Sequence, residues 1–215
     1  MQSTALLQEL HTQCDGGSIA TEEVFSTLAR ACNQRGADSL TAKLNEINDW
    51  LEQDLSDIEQ ELSHIAKVGD SLAEKSARHL LDRGGKRLRP ICVALASRIG
   101  KGFNAQARAF AIAVELIHNA TLLHDDVVDM GELRRGAPAA RIVYGNAASI
   151  FGGDWLLLEA LARIQSAGIA GALDRVIAVI REMVVAETWQ LEHRGRVSRA
   201  SLGTQSISHS GSGSS

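Results

Sequence analysis

Asn104–Asp129, which reads N-A-Q-A-R-A-F-A-I-A-V-E-L-I-H-N-A-T-L-L-H-D-D-V-V-D, is the stretch that decides the fold. Asn104 is a residue type that caps helices, and the segment that follows is apolar on most sides from Ala109 to Val114. A helix of this kind is buried at the centre of its domain. The sequence therefore predicts a central helix that starts after Asn104 and ends at Asp129.

Helical periodicity continues on both sides of this stretch. From Thr41 onward, apolar residues recur every three or four positions, at Leu44, Ile47, Leu51, Leu55, Ile58, Leu62 and Ile65. The other predicted helices are Thr4–Gln13, Thr21–Cys32, a segment from the Gly69 break to about Leu81, Pro90–Ile99, Ala147–Gln165 and Ala170–His193. No segment alternates like a strand over more than a few residues, so the predicted fold is all-α, an antiparallel helical bundle.

Composition narrows the class of protein. The 215 residues suit one ordinary domain, with or without appendages, and 45% hydrophobic with 22% charged residues is typical of folded globular proteins. A net charge of −4 argues against nucleic-acid binding, which needs an excess of cations. Cys14, Cys32 and Cys92 lack metal-ligand spacing and predict reduced thiols. Without a signal peptide or an apolar span, we expect a cytoplasmic protein with no transmembrane segment.

The first candidate site is the acidic segment at the end of the central helix. Asp125 and Asp129 are four residues apart, so on a helix their Cβ atoms lie about 5–6 Å apart on one face. Two carboxylates so placed suit Mg²⁺, which takes few protein carboxylates and completes its shell with water and phosphate oxygens. The alternative is an acidic helix end that faces solvent, although the apolar neighbours make uncompensated charges there costly.

Two basic segments are the second candidate. Gly84–Pro90 places three cations within four residues at a helix start, which favours a diphosphate, although the segment does not match a P-loop. Arg134–Gly136 supplies a second pair of arginines just past the acids. A solvated turn is the alternative for both. His118 faces the predicted anion site, while His124 adjoins the acids, and either could instead be an ordinary buried histidine.

Together these segments resemble the polyprenyl synthetase family, the trans-isoprenyl diphosphate synthases. Five motifs occur in one order and cover roughly Leu44 to Gly195: G-G-K-R-L-R-P at 84–90, I-H-N-A-T-L-L-H-D-D-V-V-D at 117–129, R-R-G at 134–136, Y-G-N-A-A-S-I-F-G-G-D-W-L-L at 144–157 and A-E-T-W-Q-L-E-H-R-G at 186–195. The resemblance implies a bundle of the isoprenoid synthase type and a prenyltransferase that condenses isopentenyl diphosphate head-to-tail with an allylic diphosphate. It also implies Mg²⁺ as cofactor and a homodimer.

Residue roles follow from the same resemblance. Isopentenyl diphosphate would be held by Lys86, Arg89, His118 and Arg135. Magnesium and the allylic diphosphate would be held by the catalytic residues Asp125, Asp129 and Arg134, with Asp126 as a further candidate ligand. The 117–129 segment resembles octaprenyl-type synthases, which make medium to long products, and Ala120→Phe is expected to shorten them because Ala120 cannot plug the product cavity.

The sequence also departs from the family pattern. The family carries a second aspartate-rich motif and later lysines. Here no lysine follows Lys101, and a Ser/Gly-rich segment begins near Val197. We therefore expect an N-terminal extension at 1–40, an incomplete synthase domain at 41–196, a non-native or disordered tail at 197–215, and little activity of this chain alone. A non-catalytic diphosphate-binding partner subunit and a class I terpene cyclase are the alternatives.

Overall fold

The computed structural model describes residues 21–67 and 69–193, so the predicted Thr4–Gln13 helix and the 197–215 tail lie outside the described residues. The helices are α1 (Thr21–Asn33), α2 (Asp38–Lys67), α3 (Leu72–Leu81), α4 (Leu88–Ile99), α5 (Ala105–Val128), α6 (Ala140–Tyr144), α7 (Asn146–Ser166) and α8 (Ala172–His193). Two short strands, β1 (Leu133–Arg134) and β2 (Ala137–Pro138), form an antiparallel hairpin. The all-α prediction is confirmed.

The chain divides into two compact units, one that ends at Ile169 and one that begins at Ala170. The first contains α1 to α7 and the hairpin, and the second contains α8, none of whose residues is buried. This division does not coincide with the predicted domain borders after residues 40 and 196, which stay predictions. Among the described helices, none combines the length and the apolar character needed to cross a lipid bilayer.

The central helix of the first unit is α5, as predicted. Its N-terminus is capped by Asn104, whose Oδ1 accepts the backbone N–H of Ala107 at 3.0 Å. The helix packs against α2, α3, α4, α6 and α7, and its fully buried apolar side chains include Ile112, Leu116 and Leu123. Burial on this scale explains why α5 is apolar around most of its circumference.

The amphipathic helix α2 forms one wall of this core. It begins at Asp38, three residues before the predicted start at Thr41. The later apolar positions of its predicted stripe are buried, namely Leu51, Leu55, Ile58, Leu62 and Ile65. The earlier positions Leu44 and Ile47 are half-buried, in the half of the helix that precedes this buried stripe.

The segment after α5 differs most from the prediction. We expected a basic loop there, and the structure shows the β1–β2 hairpin followed by the short helix α6. Arg135 and Gly136 form its two-residue turn with φ of 52° and 73°, the left-handed conformation that suits tight hairpins. Strands of two residues are too short to leave an alternating pattern, which is why the sequence did not reveal them.

Candidate active site

The three acids at the C-terminal end of α5 differ in their surroundings. Asp125 is half-buried, Asp126 is 1% exposed, and Asp129 is exposed. Asp129 caps the helix and donates its backbone N–H to the carbonyl oxygen of Asp125 at 2.7 Å. Asp125 and Asp129, four residues apart, therefore lie on one face of the helix end, while the carboxylate of Asp126 is buried.

The partner of Asp126 is Arg134 on strand β1. Arg134 donates from Nε and Nη2 to Oδ1 of Asp126, at 3.0 and 2.5 Å. Because the Asp126 carboxylate is buried against a cation, its placement argues against the prediction that Asp126 is a metal ligand. The Arg134 side chain is 33% exposed, so its guanidinium is held by Asp126 and still accessible to a ligand, as its predicted role requires.

Arg135, at the hairpin turn, reaches back to the loop between α3 and α4. Its Nη1 donates to the carbonyl oxygens of Leu80, at 3.1 Å, and of Gly84, and its Nη2 donates to Oδ1 of Asn119 at 3.1 Å. Burial, and then the positive charge of Arg87, lowers the pKa of Arg135 to about 10. The side chain is therefore still a cation at neutral pH, and it ties the hairpin to the loop. Its predicted contact with diphosphate stays a prediction.

The cations of the basic motif at the start of α4 differ in their exposure. Lys86 and Arg89 are exposed, whereas Arg87 is 3% exposed. The guanidinium of Arg87 donates to both carboxylate oxygens of Glu59, at 2.7 and 3.1 Å, and to Oε1 of Glu115 at 2.9 Å. The basic motif thus presents Lys86 and Arg89 to solvent and turns Arg87 inward.

His118 lies on α5 among these cations. Burial, followed by the positive charge of Arg89 and smaller contributions from Arg135 and Arg134, lowers the pKa of His118 to about 4, against the opposing effect of Glu115. The imidazole is therefore neutral at physiological pH. A neutral ring surrounded by three guanidinium charges marks a place of positive potential, which favours an anionic ligand.

His124 contacts the neighbouring helix α7. Its Nε2 lies 3.2 Å from the carbonyl oxygen of Ile150 and 3.2 Å from the carboxylate of Asp154, both on α7. The ring lies over Gly153, where an added Cβ would come within 2.4 Å of Nε2 and 3.0 Å of the Ala120 carbonyl oxygen. His124 therefore fixes α5 against α7.

Ala120 lies at the same contact between α5 and α7. This residue is 2% exposed, and its carbonyl oxygen lies next to Gly153, where α5 meets α7. The shortening of products by Ala120→Phe stays a prediction. Thr121, the next residue, is half-buried, and its hydroxyl donates to the carbonyl oxygen of His118 at 2.8 Å.

The structure brings the predicted residues of three segments together: the α3–α4 loop, the second half of α5, and the hairpin. It also adds Glu59, Glu115 and Asn119, for which sequence reasoning gave no role. A signal was present for Glu115, because a charged residue inside an otherwise apolar helix needs a buried partner. The pairing itself could not be deduced, since Glu59 and Glu115 are far apart in the chain.

The acid pair has the chemistry of a partial magnesium site. In the described part of the chain, no group of three His, Cys, Asp or Glu side chains is placed to hold a metal ion. Two carboxylates on one helix face nevertheless fit Mg²⁺, whose remaining positions are commonly filled by water and phosphate oxygens. Asp125 and Asp129 would then hold the ion only together with a phosphorylated ligand.

Comparison with known proteins gives consistent results. A family model described as polyprenyl synthetase matches residues 70–206. Heptaprenyl diphosphate synthase component 2 of Geobacillus stearothermophilus is 35% identical over 154 residues, which make up 72% of this chain and 48% of that protein. Octaprenyl diphosphate synthase of Escherichia coli K12 is 34% identical over 149 residues, 69% of this chain and 46% of that protein. The crystal structure of polyprenyl synthase from Caulobacter crescentus CB15, complexed with calcium and isoprenyl diphosphate, aligns with a TM-score of 0.64 at 34% identity, covering 68% of this chain and 45% of that one.

An all-helical unit with an acid pair beside converging cations is the arrangement expected of an isoprenoid-synthase fold. The chain belongs to the polyprenyl synthetase family, whose model matches more than half of it. It spans about half the length of the curated relatives it matches. The family match continues to residue 206, past Val197, where we predict that the family pattern ends.

Proposed function

We propose that this chain carries the isopentenyl diphosphate pocket and the first magnesium-binding acids of a prenyltransferase that elongates an allylic diphosphate. The observation that carries the proposal is the placement of the charges of Arg89, Arg134 and Arg135 around His118. Arg134 also pairs with Asp126, between the two acids Asp125 and Asp129. Two separate anion-binding groups suit two diphosphate substrates. A class I terpene cyclase, which ionises one diphosphate, would have no use for the basic loop.

The residues divide the work of the reaction. Lys86 and Arg89 would hold isopentenyl diphosphate, with neutral His118 contributing a hydrogen bond. Asp125 and Asp129 would hold Mg²⁺, which supplies Lewis-acid assistance to the departing diphosphate. The allylic C–O bond breaks with its electrons leaving on diphosphate, the isopentenyl double bond forms the new C–C bond, and a proton is lost. Arg134 would stabilise charge on the departing oxygens.

Binding measurements test this proposal directly. Isothermal titration calorimetry of the chain with isopentenyl diphosphate should show binding that weakens by about tenfold or more in Arg89→Gln, the size of a lost charge-assisted hydrogen bond. Arg30→Gln, a matched change at an exposed arginine of α1, should bind as the wild type does. Equal affinity of Arg89→Gln and the wild type would contradict the proposed pocket.

The acid pair is tested with the second ligand. Farnesyl diphosphate should bind more tightly with Mg²⁺ than without it, and Asp129→Asn should remove most of the difference. A magnesium effect that survives both Asp125→Asn and Asp129→Asn would exclude the acids as ligands.

We also propose that a second protein chain, most simply another copy, covers part of the first unit. Large apolar side chains on α7 are exposed in the single chain, with Phe151 at 60% and Leu158 at 67%. Exposure of several such residues on one helix is typical of a contact surface. The Geobacillus relative is named component 2, so pairing with a different chain is the alternative. Light scattering of the chain at several protein concentrations tests whether it self-associates. A monomer at all concentrations would refute self-association.

A further inference from the structure

The backbone of the basic loop is held in an unusual conformation at Arg87. This residue precedes α4 and has φ of 46°, in the left-handed region that non-glycine residues seldom adopt. Such conformations persist where the surrounding structure fixes them, and they concentrate at functional sites. What fixes Arg87 is its side chain, whose exposed fraction is 2% and which bridges two helices.

The bridge is a three-charge cluster. Arg87 pairs with Glu59 on α2 and with Glu115 on α5, whose side chains are 39% and 2% exposed. Burial alone would lower the pKa of Arg87, but the hydrogen bonds and charges of the two glutamates raise it above its ordinary value. A buried cation with two carboxylates is geometrically demanding and adds little stability compared with apolar packing. Because Arg87 directly follows Lys86 in the chain, the cluster can determine where the Lys86 side chain lies.

The cluster continues to the other end of the loop. Asn119 donates to the carbonyl oxygen of Glu115 at 2.7 Å, and its own Oδ1 accepts from Arg135. Arg135 in turn donates to the carbonyl oxygen of Gly84. A Cβ added to Gly85 would lie 3.2 Å from the Arg135 guanidinium, so the loop and this side chain are in close contact. Hydrogen bonds thus connect Gly84, at the start of the loop, to Arg87, at its end.

We propose that Arg87, held by Glu59 and Glu115, is a positioning residue that sets the direction of Lys86 and Arg89 toward isopentenyl diphosphate. The inference rests on the proposed function, since it assigns the two exposed cations to that ligand. Arg87 itself does not touch the ligand. It acts by turning the chain inward at one residue, so that the exposed cations on either side of it face outward.

A second ion pair between the same helices supplies the control. Arg98, in the last turn of α4, donates to Oδ2 of Asp54 on α2 at 3.1 and 2.5 Å. This pair joins α2 to the far end of α4, a whole helix length from the basic loop. Asp54→Asn and Glu59→Gln each neutralise one carboxylate of α2 that pairs with an arginine, and only the second acts on the loop.

The test compares Glu59→Gln, Arg87→Lys and Asp54→Asn. We expect Glu59→Gln and Arg87→Lys to weaken isopentenyl diphosphate binding by about tenfold, the effect of displacing a charge-assisted contact. Farnesyl diphosphate binding with Mg²⁺ should stay unchanged. Hydrogen exchange without ligand should speed up at residues 84–88 in these two variants and stay as in the wild type in Asp54→Asn.

A further variant separates positioning from stability. Arg87→Met with Glu115→Leu removes the buried charges together, so the protein should unfold at a temperature near that of the wild type. Isopentenyl diphosphate binding should still be weakened. If this double variant binds as the wild type does, or if Glu59→Gln and Asp54→Asn have equal effects on binding and loop exchange, the positioning role is refuted.

The proposed function can be refuted independently of the positioning role of Arg87. If the wild-type chain does not bind isopentenyl diphosphate, the pocket assignment is wrong. Faster loop exchange confined to Glu59→Gln and Arg87→Lys would then still support the part of the inference that concerns the loop.

Discussion

Asp126→Asn distinguishes a buried structural acid from a metal ligand. The sequence made Asp126 a candidate ligand, whereas the structure pairs its Oδ1 with Nε and Nη2 of Arg134 at 3.0 and 2.5 Å. Asparagine has nearly the same shape and keeps an oxygen acceptor, so the change removes the negative charge and little else. If the structural placement is correct, the variant should lose stability and keep its magnesium site.

The magnitude follows from the exposure of the two partners. Removing one charge of a fully buried ion pair costs about 3–5 kcal/mol, because the other charge is left without a partner. Here the Arg134 side chain is 33% exposed, so water can solvate the guanidinium once the carboxylate is neutral. We therefore expect a loss of about 1–3 kcal/mol, the value of a charge-assisted hydrogen bond. The melting temperature should fall by about 2–4 °C per kcal/mol.

Two measurements on the same samples decide the question. Thermal unfolding followed by circular dichroism gives the stability, and calorimetry with farnesyl diphosphate, with and without Mg²⁺, gives the metal-dependent affinity. Asp125→Asn is the comparison, since it should lose the magnesium effect. If Asp126→Asn melts at the wild-type temperature and loses the magnesium dependence, the assignment drawn from the structure is wrong.

Three further predictions concern α5 and its contact with α7. In the folded state the pKa of His118 is lowered from 6.5 to about 4. Because the unfolded chain therefore binds the proton first, the free energy of unfolding should fall as the pH drops from 6.5 toward 4. Urea unfolding should show a weaker pH dependence in His118→Gln. Gly153→Ala should destabilise by about 1–3 kcal/mol through overpacking against His124, and less so in a His124→Ala background, as measured by melting temperature. Ala120→Phe should destabilise by a similar amount of about 1–3 kcal/mol, whereas Ala105→Phe at an exposed position of the same helix should not.

The parts of the fold that were predictable are those that depend on periodicity. The apolar stripe of α2 and the apolar circumference of α5 indicated the helices and which of them is central, because burial selects the residue type at each turn. The hairpin and α6 were missed since each is too short to show a period. Arg135 in its turn also runs against local preference, because a left-handed φ favours glycine.

The motifs of the candidate site could be located in the sequence, but the direction of individual side chains could not. Asp125, Asp126 and Asp129 look alike in the sequence, and only tertiary packing shows that the middle one is buried. Likewise, Lys86 and Arg87 are adjacent cations, yet one is exposed and the other is 3% exposed. A motif specifies which charges are available, whereas the helices around it decide which of them can meet a ligand.

The buried polar residues of α5 explain which cations are exposed. Glu115, Asn119 and Asp126 are spaced four and seven residues apart, so they form one stripe along the helix, and each is at most 2% exposed. Each accepts hydrogen bonds from a different arginine of the flanking segments, in the order Arg87, Arg135 and Arg134. A polar group buried in this way needs a partner, and an arginine provides a cation with several donors. The central helix therefore fixes the two basic segments at three points. These contacts leave Lys86 and Arg89 exposed, and the charge of Arg89 acts on His118.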